Sequence, residues 1–525
     1  MIMSLPETSA FSTATTTRFE NVHLFDPDSE SGMSAATTLL VHGDRIAAIG
    51  VDAAGFAAES ERIIDGRGKL LMPGLINGHF HSPVNHMKGR LDSLPLEIFM
   101  LYECPALEEL RPTPREAYVR TQLACAEMLK NGVTAVQDDA FLVPEPTVDI
   151  IDAVMQAYAD SGMRATVALD EPNLAELDKL PFLAELLLAE RRAELAKPRN
   201  LADADLLAMY HHLITRWHGT EGGRLRAAVS CSAPQRVSTD YIHELEALSR
   251  THDLPFYAHM LETKLQRVLG HAQPRFGGRS LVRYTADLGL LSERLNIIHA
   301  IWVDDADLDL IAAAGSVVAH NPISNLRLGS GIMPFRRMRD RGIPICLGTD
   351  EAIADDAVNM WAVAKTTGLV HNIAGADYDA WPRAGEILDC LLQGGARAMG
   401  LQDELGVLAP GRLADLVMLD LDTLPFTPLN DLRRQLVYCE NGNSVVLTMV
   451  AGRIVCEGGR LHTIDEAALR QEAREIFARR KPALEQASVV AQRWLPFYRA
   501  MYAKAAAVDV GMNRWVGDAD LPSPV

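Results

Sequence analysis

Hydrophobic and polar positions fall into three regimes along the chain. Near the start, short β-like runs (Asn21-Val-His-Leu-Phe, Thr37-Thr-Leu-Leu-Val-His, Arg45-Ile-Ala-Ala-Ile-Gly and Arg62-Ile-Ile-Asp) are separated by Asp, Gly and Ser turns, which predicts a small β-domain. A comparable pattern returns in Ala414-Asp-Leu-Val-Met-Leu-Asp, Ser444-Val-Val-Leu-Thr-Met-Val and Gly452-Arg-Ile-Val-Cys. Between these segments, apolar β-branched runs at 75–81, 133–137, 164–169, 225–229, 255–259, 295–299, 316–320 and 343–347 alternate with long helical patterns. That alternation predicts an α/β fold with a parallel sheet, and eight runs suggest a (β/α)8 TIM barrel over residues 73–409. The flanking β-segments, 18–72 and 410–460, are then expected to complete one small β-sandwich from both chain ends.

Three stretches fall outside this scheme. Residues 1–17 are rich in Ser, Thr and Ala without periodicity, and read as a mobile tail. Residues 171–223 form a long charged helical excursion, a lid or an insertion in the outer ring. Residues 461–525 turn helical, with most of the pattern in 466–480 and 483–507. Trp494, Phe497, Tyr498 and Tyr502 recur there at helical spacing, a stripe expected to pack on the body of the protein or a second subunit.

Composition narrows the function classes. Hydrophobic residues make up 48% of 525, enough for a large core. A formal net charge of −19 argues against a phosphate-backbone partner. Seven scattered cysteines, odd in number and without a Cys-x-x-Cys pair, fit a reducing compartment. No leader pattern and no membrane-length apolar run is evident, so a cytoplasmic enzyme acting on a small-molecule substrate, with neither nucleic acid nor membrane as partner, is the expectation. A homo-oligomer, dimeric by preference, is expected too.

Candidate chemistry begins at Leu71-Met-Pro-Gly-Leu-Ile-Asn-Gly-His-Phe-His81. Strand residues i and i+2 share a face, so His79 and His81 aim two imidazoles at one point, as a divalent metal requires. Among 16 histidines such a pair also arises by chance, and the case needs more. Run five ends in Tyr257-Ala-His-Met-Leu-Glu-Thr-Lys, run six in Ile297-Ile-His-Ala, run seven in Val318-Ala-His-Asn-Pro-Ile-Ser-Asn and run eight in Ile345-Cys-Leu-Gly-Thr-Asp350. Polar groups thus recur where a barrel places its catalytic groups, at the C-terminal strand ends.

These motifs, in this order over roughly residues 20–460, resemble the amidohydrolase superfamily, in the branch of atrazine/triazine hydrolases and cytosine- or adenosine-type deaminases. The resemblance implies a barrel with a β-sandwich assembled from both chain ends, and leaves the chain after 460 unexplained. It implies that His79, His81, His259 and Asp350 hold one divalent metal ion, zinc first, with iron or manganese as alternatives. It further implies that Asp350 takes the proton of the attacking water, that Glu262 shuttles a proton to the substrate nitrogen, and that His299 contacts the water or the substrate oxygen. In the two-metal branch a carboxylated lysine bridges the ions from strand four; run four here has no lysine, so one metal is expected.

The chain also departs from the family, which usually has Gly after the metal-binding Asp where Glu351 stands here. Glu351, Asn325 and His86 are candidate substrate contacts, and His320 reads as structural. Asp138, Asp139, Asp170 and Glu171 follow runs two and three; pointing inward they would make a negative mouth suited to a cationic substrate, and otherwise they cap helices or lie in solvent. The expected reaction is hydrolytic release of ammonia from an amidine-like carbon of an aminated N-heterocycle or guanidine. The alternative is cleavage of a urea, carbamate or amide C–N bond at the same site.

Overall fold

The computed structural model describes residues 15–55, 61–103, 107–197 and 201–517. Strands from the two chain ends meet first. β1 (Thr16–Leu24), β2 (Thr37–His42), β3 (Arg45–Ile49), β4 (Glu61–Asp65) and β5 (Lys69–Pro73) open the chain. The central strands are β6 (Leu75–Phe80), β7 (Val133–Ala140), β8 (Arg164–Leu169), β9 (Leu225–Ala227), β10 (Val229–Ser230), β11 (Phe256–Met260), β12 (Leu295–His299), β13 (Val317–His320) and β14 (Ile345–Leu347). β15 (Leu416–Asp420), β16 (Val445–Val450), β17 (Arg453–Glu457) and β18 (Arg460–Leu461) close the strand series.

One nine-stranded sheet has the order β18-β17-β16-β15-β5-β1-β2-β3, with β4 parallel to β1. Its seam is the antiparallel pair of β5 and β15, in register from Leu416 opposite Pro73 to Asp420 opposite Lys69. Phe19, Val22, Leu39, Val41, Leu71, Leu416, Met418 and Leu447 form a core on this sheet, so each chain end supplies apolar surface that the other buries. Thr16 and Thr17 pair with His42 and Val41. The stretch expected to be a tail therefore ends earlier than 17, and residues 1–14 lie outside the described residues.

The central strands form two parallel sheets, β6-β7-β8-β9 and β10-β11-β12-β13-β14. Every residue of β6, β7, β8, β11 and β12 is buried, as expected of parallel strands covered on both faces. The sheets touch at both ends. Only Ala228 separates β9 from β10, and its N–H donates to the Val167 carbonyl at 2.8 Å. At the other edge Phe80 bridges Asp350 in parallel register.

Helices pack outside these strands. The helix Pro114–Lys130 begins with a Thr113/Glu116 capping box and a proline in its first turn, as its sequence dictates. A buried bidentate ion pair, Arg164 Nε and Nη2 to the Asp415 carboxylate at 2.8 and 3.0 Å, ties β8 to the loop entering β15.

The excursion at 171–223 is a string of short helices, Glu176–Lys179, Leu183–Leu186 and Ala189–Leu195, followed by the longer Asp203–Trp217. Leu206, Tyr210, Leu213 and Trp217 of that last helix join the main core. At the C-terminus the expected break near residue 481 is absent. Glu466–Gln492 is one helix that carries Pro482 inside it, and the chain bends only before Leu495–Ala506. Trp494 and Tyr498 pack on Ile98, Leu183, Leu187, Leu265 and Val268, so the aromatic stripe covers the body of the same chain. Among the described residues no helix is long and apolar enough to cross a membrane.

Candidate active site

The C-terminal ends of the parallel strands converge on one buried cluster. Donor atoms of His79, His81, His259 and Asp350 all lie within 4.8 Å of one another, and all four residues are buried. The β pleat aims His79 and His81 to one side, and Phe80 turns away into the apolar core. Asp350 follows β14 and is locked to β6 by two backbone bonds: its N–H donates to the His79 carbonyl at 3.0 Å, and its carbonyl accepts from the His81 N–H at 2.9 Å. Gly348 makes this approach possible, since a Cβ there would sit 2.8 Å from the backbone N and O of His79 and 2.5 Å from Asn321 Oδ1.

Asp350 and His299 both adopt left-handed backbone, with φ of 65° and 73°. That conformation costs an L-residue roughly 1–2 kcal/mol, and such strain clusters where geometry serves function. The strand hydrogen bonds just given hold Asp350 in it.

Around the cluster, backbone carbonyls fix the imidazoles. His81 Nδ1 donates to the Asp139 carbonyl and His259 Nδ1 to the Ser232 carbonyl, at 2.5 and 2.7 Å. Both rings therefore turn Nε2 inward, the orientation found in metal-ligating histidines. His79 Nε2 is buried without a hydrogen-bond partner among the described residues, 3.2 Å from Asp350 Oδ1; His81 Nε2 is 3.4 Å from the same oxygen. The Ser324 hydroxyl donates to Asp350 Oδ2 at 2.6 Å.

Electrostatics make the same point. Burial pushes the Asp350 carboxyl upward, but His79 and His81 outweigh it and hold it well below the ordinary range. Burial likewise disfavours charge on His81, yet Asp350, aided by Asp170 and Asp139, raises it to about 10; His79 falls to about 4 through burial and the charge on His81. Only one of the paired imidazoles can hold a proton beside the carboxylate. A divalent cation would supply that positive charge to all the donors at once, so the donor set fits one.

Glu262, His299 and Asp350 line one cavity with His81 and His259. His299 Nε2 lies 3.6 Å from Glu262 Oε2 and 3.9 Å from Asp350 Oδ2, and its Nδ1 donates to Asn325 Oδ1 at 2.9 Å. Burial holds the Glu262 carboxyl above its ordinary range, an effect His299 partly offsets. A shift in that direction favours the protonated form, the one that can act as an acid.

The remaining expected residues separate. Asn325, expected at the substrate, is bonded to His299. Glu351 lines the site cavity, where burial and neighbouring Glu103 hold its carboxyl well above the ordinary range. His86 lines a neighbouring cavity with Arg120 and Arg480. Asp138 accepts from Tyr158 Oη and the Ser82 N–H, Asp139 from Ser230 Oγ, and Glu171 from the Leu142 N–H. Of the four acids after runs two and three, only Asp170 lines the site cavity, which Glu103, Glu262, Asp350 and Glu351 also line. His320 stands 3.2 Å from His371, Nε2 to Nε2, within the packing. Ser324, Ser232, Glu103 and Arg236 were not expected. Ser324 at least stood inside the His-Asn-Pro-Ile-Ser-Asn motif.

Parallel strands that deliver three imidazoles and a carboxylate to one buried point define a metallohydrolase class of protein. Residues 70–455 match the model of the amidohydrolase family, and the chain belongs to that family. It is 33% identical over 443 residues to a 5-methylthioadenosine/S-adenosylhomocysteine deaminase of Nitratidesulfovibrio vulgaris, covering 83% of this chain and 91% of that protein. It is 30% identical to a 5'-deoxyadenosine deaminase of Methanothermobacter thermautotrophicus, covering 80% and 90%. A zinc-bound adenosine deaminase from Xanthomonas campestris superposes with a TM-score of 0.76 at 26% identity, covering 90% of this chain and 99% of that one. The atrazine chlorohydrolase of Arthrobacter aurescens, complexed with zinc, shares the fold with a TM-score of 0.76 at 23% identity, over 87% and 99%.

Proposed function

We infer that the protein is a metal-dependent aminohydrolase that replaces an amino group on an aminated N-heterocycle by oxygen and releases ammonia. The observation carrying this is Glu262, a buried carboxyl whose protonated form is favoured by burial, 3.6 Å from His299 in the cavity lined by His81, His259 and Asp350. Ammonia leaves poorly unless protonated, so a deaminase needs an acid there. The names of the relatives point to a purine nucleoside as the heterocycle.

His79, His81, His259 and Asp350 would hold the ion, zinc by analogy with the zinc-bound adenosine deaminase. When bound, such an ion lowers the pKa of water from about 15.7 to about 7. The chain's own groups do the rest. Asp350, its Oδ2 oriented by Ser324, accepts a proton from the attacking water. Glu262 gives its proton to the ring nitrogen, takes the hydroxyl proton of the resulting adduct and hands it to the departing amine; the proton held by Asp350 then restores Glu262. His299, with Nδ1 committed to Asn325, presents Nε2 toward the substrate oxygen as the C–O bond forms. One water is consumed, the C–N bond breaks, and ammonia leaves.

The scaffold reading is part of the same proposal. The two parallel sheets form one closed (β/α)8 barrel, supported by the Phe80–Asp350 bridge and the Ala228 link, and the nine-stranded sheet folds into the accompanying β-sandwich. The functional test is to assay ammonia against amine or carbon dioxide release over purine nucleosides, pterins, pyrimidines, triazines, guanidines, ureas and amides. Ammonia from the amino-heterocycles is expected. Cleavage of ureas or amides alone would overturn this reading.

A further inference from the structure

The cavity lined by the donor cluster is small, about 40 Å³, space for a few waters rather than for a substituted ring. It does not stand alone. Leu96, Met100, Phe141 and Arg236 line both it and a second chamber of about 490 Å³, a volume within the range of sites that hold drug-sized ligands. The chamber's far wall carries Ala491, Trp494 and Tyr498, beyond residue 455 where the family match ends. Its near wall comes from the segment after β8, represented by Leu174, Glu176 and Leu180. The two walls are joined where the Tyr498 hydroxyl donates to Glu176 Oε1 at 3.1 Å. The excursion and the C-terminal extension therefore enclose a space that shares a wall with the reacting centre.

That space is apolar over most of its lining, with one distinctive polar group at its entrance. Arg236 donates from Nη1 to Ser232 Oγ at 3.3 Å and from Nη2 to Met100 Sδ at 3.2 Å. No carboxylate lies within ion-pair distance of it among the described residues. A thioether and one hydroxyl satisfy little of a guanidinium's five-donor fork. On the chamber wall, Gln235 Oε1 and Glu97 Oε2 are buried with no hydrogen-bond partner among the described residues, so this wall too has unused polar capacity.

We propose that the chamber is a substrate subsite, taking a bulky, largely apolar substituent of the aminated heterocycle, and that Arg236 at the passage binds an oxygen acceptor on that substituent. The proposal rests on the deaminase reading of the neighbouring centre and adds to it the shape of the molecule that enters. The acceptor is a carbonyl or an acidic oxygen, since both match a guanidinium donor.

The test compares matched compounds on the zinc-loaded full-length enzyme: adenine, and N9-substituted adenines whose bulky arms end in a carboxylate, an amide or a methyl group. Ammonia release gives kcat and KM, and calorimetry gives binding whether or not turnover occurs. Acceptor-ended compounds should exceed adenine in kcat/KM by 100-fold or more. In Arg236→Met their KM should rise at least 10-fold, with less than a three-fold change for the methyl-ended compound. Arg236→Lys should recover the carboxylate-ended compound better than the amide-ended one. Ala491→Trp, which narrows the chamber from the far side, should penalise every substituted compound more than adenine. Equal kcat/KM for bare and substituted rings in the wild type, or an Arg236→Met loss independent of the arm's end group, would overturn the proposal. Tight, Arg236-dependent binding without ammonia release would sink the deaminase reading and leave the subsite standing. Ammonia release from every ring without preference would do the reverse.

Discussion

His299 donates from Nδ1 to Asn325 Oδ1 across 2.9 Å, and this bond decides which way the second imidazole nitrogen faces. With Nδ1 committed, Nε2 is left toward Glu262 and Asp350 at 3.6 and 3.9 Å. Asn325→Ala frees the ring, and loss of such a supporting contact typically costs about 10–100-fold in activity. We expect that loss in kcat, with KM and metal content near wild-type values. A rise in KM alone would show Asn325 to be a substrate contact instead.

Glu262→Gln removes the acid while keeping shape. Its kcat should fall by about 10²–10⁴, the usual contribution of a positioned acid–base group, with metal content and melting temperature retained. Loss of metal on this substitution would mean that Glu262 belongs to the ligand set.

The ligand assignment makes its own prediction. His79→Ala and Asp350→Asn should each strip the divalent ion, read by elemental analysis, and abolish turnover. A strong chelator should inactivate the wild type, with recovery on adding zinc. Full activity in chelated, metal-free enzyme would refute the assignment.

Glu97 should leave a mark on stability against pH. The Thr263 hydroxyl donates to its Oε1 at 2.5 Å, but burial lifts the carboxyl from 4.5 to about 7. Between those values the folded chain keeps a proton that the unfolded chain has released, so stability falls as pH rises through the window. Below 4.5 both states are protonated and the effect vanishes. Above about 7 both are ionised and the whole penalty remains, up to about 3 kcal/mol. Denaturant titrations of Glu97→Gln should show a flatter decline than the wild type across this window. Parallel curves would contradict the assignment.

Arg164 and Asp415 form an ion pair whose side chains are 3% and 1% exposed. Arg164→Ala strands a buried carboxylate, and breaking such a pair costs about 3–5 kcal/mol. Replacing both partners, as in Arg164→Met with Asp415→Leu, should recover part of that loss even though Asp415 also accepts from the Ala451 N–H. Equal destabilisation by single and double variants would mean that the Ala451 bond, rather than the ion pair, dominates.

What the sequence determined was local. A period of two over 75–81 sets His79 and His81 on one face before any partner is known, because strand geometry alone fixes the direction of i and i+2. The polar ends of runs five, six and eight followed from the same regularity, and so did the β-segments at both chain ends. Relationships between elements were decided only by tertiary structure. Nothing in the spacing tells whether Asn325 meets a substrate or His299, because that depends on how the loop after β13 folds over the end of β12. Asp138, Asp139, Asp170 and Glu171 are four neighbours in the pattern, yet only Asp170 lines the site cavity; the others are taken up by Tyr158, Ser230 and the Leu142 N–H, from other parts of the chain. The chamber beside the centre joins residues from 96 to 498. Its shape comes from packing the C-terminal helices on the excursion after β8; the aromatic period of 494–502 announced a packing face, but which distant segment it covers depends on buried area between the two and is written in neither.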